Sequence, residues 1–60
     1  MIYRVYLRDP QQRVSEKTAT GDRAAALEAF ASLVNRTDLD GSPMLAVLNY
    51  NGAPVAHHYF

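Results

Sequence analysis

The sequence predicts an α+β fold: a single small domain, residues 1–60, in β-β-α-β-β order, with a four-stranded antiparallel sheet and one helix packed on one face. Three observations carry this expectation. Residues 2–8 alternate aromatic or branched side chains with arginine. Residues 22–35 are rich in alanine and leucine at helical spacing. Asn51-Gly52, the dipeptide favoured in two-residue hairpin turns, divides an apolar C-terminal segment into two strand-length halves.

The first strand, "IYRVYLR", has period two, which places Tyr3, Val5 and Leu7 on one face and Ile2, Arg4, Tyr6 and Arg8 on the other. Asp9-Pro10-Gln11-Gln12 turns the chain, because proline presets a turn dihedral and aspartate bonds back to the turn backbone. The second strand, "RVSEKTAT" at residues 13–20, carries Glu16 and Lys17, charges suited to a sheet edge. If the turn pairs Arg8 with Arg13, then Arg13, Ser15 and Lys17 lie on the same face as Arg4, Tyr6 and Arg8.

Asp22 opens the helix as its cap and the helix runs to about Asn35, with Arg36 near its negative end. Leu27, Phe30, Ala31 and Val34 are expected to face the sheet, with Ala26 and Leu33 at the margins of the stripe. Residues 38–43, "DLDGSP", form a loop. Residues 44–50 and 53–60 then pair as the second hairpin, and the two apolar strands, first and third, lie side by side in the middle of the sheet. Regular pairing back from the Asn51-Gly52 turn groups His57 with Met44, Ala46, Leu48, Tyr50, Val55 and Tyr59. It groups His58 with Leu45, Val47, Asn49, Ala56 and Phe60. Both groups are largely apolar, so apolar content does not decide which of them meets the helix.

A 60-residue chain without cysteine has a thin core and no disulfide, thiolate metal site or thiol nucleophile to supplement it. No secretory signal or membrane span is legible, so the expectation is a soluble, cytoplasmic protein with no membrane partner. Net charge is +0, without the basic field that usually marks a nucleic-acid binder.

Catalytic residues, metal ligands and cofactors are none on this reading. Ser15, Ser32 and Ser42 lack a nucleophile elbow or a visible base, and no paired carboxylates or glycine-rich phosphate loop occur. Neighbouring side chains in a strand diverge, so His57 and His58 cannot chelate one ion together while the strand is regular. A histidine-dependent metal site is the third-ranked reading.

The first-ranked reading is a non-enzymatic protein-interaction module. One helix shields one side of a sheet whose last two strands are apolar on both sides, so the uncovered side should meet a protein partner or a second copy, as a homodimer. The contact residues expected are Arg4, Tyr6, Arg8, Arg13 and Lys17 on the first hairpin, with Tyr50, His57 and Tyr59 on the second. The alternative is single-stranded nucleic acid or RNA, with bases stacked on the tyrosines and phosphates met by the same cations, since Arg4, Arg8, Arg13 and Lys17 are four of the six cationic residues.

Overall fold

The computed structural model describes residues 1–60. The elements are β1 (Tyr3–Arg8), β2 (Val14–Thr20), α1 (Arg23–Val34), a short 3-10 turn (Thr37–Leu39), β3 (Leu45–Tyr50) and β4 (Ala53–Tyr59). The four strands form one antiparallel sheet in the order β2-β1-β3-β4, so the apolar strands β1 and β3 are central and polar β2 is an edge, as the sequence implies. No helix is long and apolar enough to cross a membrane.

Each turn is built by the residues that signal it. Asp9 Oδ1 accepts hydrogen bonds from the N–H groups of Gln11, at 3.0 Å, and Arg13, at 2.8 Å, which holds the first hairpin closed. Asn51 and Gly52 have φ of 54° and 85°, the paired left-handed conformation of a type I′ turn. At the start of α1, Asp22 Oδ1 accepts from the Ala24 N–H at 3.1 Å. Arg36 takes a different role from the one expected at the helix end. It lies beyond the cap residue Asn35, in extended backbone, and its guanidinium forms a two-pronged pair with Asp38, at 2.8 and 3.2 Å.

The core consists of Val5 and Leu7 from β1, Ala46 and Leu48 from β3, and Ala26 and Leu33 from α1. The helical stripe is therefore rotated from the expected one. Ala26 and Leu33 are buried, Phe30 and Val34 pack at the margin, Ala31 is exposed and Leu27 is 48% exposed. The reason lies in composition: alanine on several sides of α1 leaves little contrast to fix the rotation, and a small residue under the axis lets the helix approach the sheet closely. The helix packs on β1, β2 and β3, and β4 lies at or beyond the edge of its footprint.

Both hairpins contain a register shift that regular pairing does not anticipate. In the first, Leu7 pairs with Ser15 and Arg8 with Val14, and an extra residue opposite Tyr6 then carries the ladder on to Val5 with Thr18. Glu16, at φ 53°, stands in this bulge. In the second, Asn49 pairs with Pro54 but Leu48 pairs with Ala56, so Val55 is the unpaired residue. A proline in a strand has no N–H for the ladder and is tolerated at edges and bulges, which accounts for the position of this one.

Candidate functional site

The two bulges decide which side chains share the face opposite the helix. Val5 pairs with Leu48 and Leu7 with Ala46, all four in the core, so alternate residues on these strands form the open face: Arg4, Tyr6 and Arg8 from β1, and Leu45, Val47 and Asn49 from β3. After its bulge, β4 sets His57 beside Val47 and Tyr59 beside Leu45. His57 thus groups with Leu45, Val47 and Asn49, not with Met44, Ala46 and Leu48. His58 pairs with Ala46 and shares the helix side with Phe60, to whose ring it presents an edge at 5.0 Å.

Of the residues expected to meet a partner, the fold brings Arg4, Tyr6, Arg8, His57 and Tyr59 together on this face. Lys17 lies in the β2 bulge region bordering it, and Arg13 precedes β2 in the turn held by Asp9. Tyr50 is not on this face. It pairs with Tyr3 one step along from Val5 and Leu48, and the two rings lie 4.5 Å apart at 38°. Ser15 pairs with core residue Leu7, so it too belongs to the helix side.

The middle of the open face is a shallow depression of about 340 Å³. Val47, 5% exposed, forms its floor, and Tyr6, Leu45, His57 and Tyr59 rise around it. His57 meets the Tyr59 ring edge-on at 5.3 Å. Asn49 Nδ2 donates to the Tyr6 hydroxyl at 3.2 Å, while Asn49 Oδ1 is buried without a partner. Residue spacing alone does not reveal which side of β3 carries the open face, because both sides are apolar, nor that His57 and Tyr59 join Leu45 and Val47 there, which depends on the β4 bulge. Pro54 is the signal that could have located it.

Electrostatically the face is one-sided. The ion pairs of the protein both involve Arg36, with Asp38 at 2.8 Å and Glu16 at 3.9 Å, so Arg4, Arg8, Arg13 and Lys17 have no carboxylate within pairing distance. The hydrogen bond from Arg36, reinforced by its charge, holds the Asp38 carboxyl below its usual range. His57 and His58 point to opposite sides of the sheet, and no three metal-ligating side chains converge. Ser32 Oγ donates to the Glu28 carbonyl and Ser42 Oγ accepts from the Met44 N–H, and no side-chain base is hydrogen-bonded to either hydroxyl. What this surface offers is an aromatic and aliphatic patch, with a few polar groups and free cations along one side. Comparison with known proteins adds no relative: no family model, curated protein or solved structure matches the chain.

Proposed function

We propose that the protein is a non-enzymatic interaction module that binds a protein partner through the open face of its sheet. The observation that carries this reading is the placement of Val47, Leu45, Tyr6 and Tyr59 on the side of the sheet that the helix does not cover. An antiparallel sheet with a solvated side normally presents polar residues there. Tyrosine and arginine are also the residue types that concentrate binding energy at interfaces.

The test is a capture experiment with wild-type protein and with Tyr59→Ala and Arg8→Ala, followed by titration of the purified partner. Both side chains are at least partly exposed, so folding should survive their removal. The reading requires at least one variant to weaken binding about tenfold or more, the effect of losing a contact worth ~1.4 kcal/mol. A partner that binds wild type and both variants equally well would remove the open face from consideration.

A second reading is favoured by one observation, the four unpaired cations of the first hairpin. Single-stranded nucleic acid stacks on sheet aromatics and releases counterions when it binds. An oligonucleotide complex that weakens steeply with salt, and further with Arg4→Ala, would put this reading first.

A further inference from the structure

The two edges of the sheet are built differently. The edge at β2 carries Glu16 and Lys17 and is broken by the bulge at Glu16, devices that discourage another strand from pairing there. The edge at β4 has its own bulge, at Val55, but at one end; beyond it residues 56–59, "AHHY", pair in regular register and contain no lysine, arginine, aspartate or glutamate. Outside its ladder with β3, the backbone of residues 53–59 makes no hydrogen bond, so its outer N–H and C=O groups are free. The stretch is also exposed beyond the helix, with Val55 59% and Tyr59 73% exposed. Pro54, which lacks an N–H, bounds the stretch at one end. At the other, the Phe60 carbonyl accepts from the Gly41 N–H at 3.3 Å.

We infer that the outer edge of β4 pairs with β4 of a second copy, antiparallel and centred on His57, to make one continuous eight-stranded sheet. The occupant follows from the edges themselves. Because β2 is blocked, a β4-to-β2 contact that would propagate into a filament is disfavoured, and the contact that closes is β4 with itself. The regular stretch is self-complementary about its centre: His57 faces its own copy and Ala56 faces His58 on the helix side, while the bulge residue Val55 lies beside Tyr59 at the margin of the contact. Small opposes large, and no fixed charge opposes a like charge. The two-fold axis stands perpendicular to the sheet, so both helices lie on one side and the two open faces become one surface. This inference rests on the strand edges and stands apart from the open-face reading.

The chain has no cysteine, which makes the contact testable by single-thiol crosslinking. Directly opposed residues of antiparallel strands lie ~4.5–5.5 Å apart at Cα, within disulfide range. Under mild oxidation His57→Cys should form a covalent dimer at least about tenfold faster than Thr18→Cys on the β2 edge. Sedimentation of the unmodified protein should show a concentration-dependent dimer. His57→Lys, which opposes two ammonium groups at the axis, should weaken it tenfold or more, the equivalent of ~1.4 kcal/mol, while circular dichroism shows the chain still folded. A strictly monomeric wild type, or equal crosslinking of the two cysteine variants, overturns the inference. A dimer lost with Tyr6→Ala but indifferent to His57→Lys also overturns it, and would make the open face itself the self-association surface.

Discussion

The Tyr6 hydroxyl accepts a hydrogen bond from Asn49 Nδ2 at 3.2 Å, a diagonal link between β1 and β3 on the face that the helix leaves bare. It joins two polar groups in a depression lined equally by polar and apolar residues, and it leaves Asn49 Oδ1 buried with no partner. Tyr6→Phe keeps the ring but removes one partner, so it should cost ~1–2 kcal/mol in urea unfolding. Asn49→Leu removes the orphaned oxygen along with the amide and should cost less. In the double variant the loss should be smaller than the sum of the two, as it is for groups that share one interaction. Additive losses would show that the link is not formed in solution.

The rotation of α1 gives a sharp contrast between two leucines. Leu48 is 2% exposed and central to the core, and Leu48→Ala should cost about 2–5 kcal/mol. A domain of this size often has no more than ~3–5 kcal/mol to lose, so that variant is expected to be largely unfolded at room temperature. Leu27→Ala, at 48% exposed, should cost below about 1 kcal/mol. Thermal unfolding of both measures the difference. A large loss at Leu27 would restore the helix orientation that its side-chain pattern first suggests.

How much of this was legible in the sequence depends on scale. The two turns and the helix cap follow from residues whose chemistry acts locally: Asp9, Asp22 and Asn51-Gly52 each make the bond or adopt the dihedral their type favours, while strand order follows from the contrast between apolar β1 and β3 and polar β2. The residues sharing a face were less legible, because a single inserted residue inverts every side chain beyond it. Pro54 announces such an insertion. Glu16 does not, since nothing in "RVSEKTAT" marks a left-handed residue, and its position is known only from the fold. Tyr50 lies on the helix side, and Leu45 and Val47 on the open side, because of how β3 registers with β1; both sides of β3 are apolar, so its sequence does not choose between them, and the β4 bulge then decides that His57 and Tyr59 stand beside Leu45 and Val47.

Acid should weaken the fold in part through Asp38. The hydrogen bond from Arg36, with its charge, depresses this carboxyl's pKa in the folded chain. A depressed folded value contributes stability above the unfolded pKa, near 3.9 for aspartate, and the contribution disappears as pH falls through the folded value. Wild type should therefore exceed Asp38→Asn in stability near neutrality, and the two should converge at low pH. Because both partners are solvent-accessible, the gap should be small and should narrow further in high salt. Denaturation midpoints of the two proteins across pH 2–7 provide the check. A gap that persists at the acid end would assign the effect to something other than the carboxylate charge.

Gly52 has φ of 85°, a conformation in which a side chain costs ~1–2 kcal/mol, so Gly52→Ala should lower stability by about that amount. The Cβ itself meets nothing within 4 Å, so the loss would be conformational and not a clash. Asn51→Gly, by contrast, keeps the left-handed geometry available and should be nearly neutral. Equal losses at the two positions would argue against the type I′ turn.

Deletion of Val55 is the most direct test of the register. Removing a residue from a regular strand turns every later side chain to the opposite face; were β4 regular from the Asn51-Gly52 turn, His57 would lie opposite Ala46 and the deletion would carry it and Tyr59 to the other side. In this fold Val55 is the unpaired residue of the bulge, and without it Pro54 opposite Asn49 is followed directly by Ala56 opposite Leu48. The ladder then closes with all later pairs unchanged. The deletion variant should stay folded, within about 1–2 kcal/mol of wild type, since what it loses is an exposed side chain and the local twist of the bulge. Nuclear Overhauser contacts between Val47 and the His57 residue of the wild-type numbering should survive the deletion. If the variant unfolds, or if the wild type shows contacts between Ala46 and His57 that the deletion moves to Val47, β4 pairs without a bulge and the open face consists of different residues.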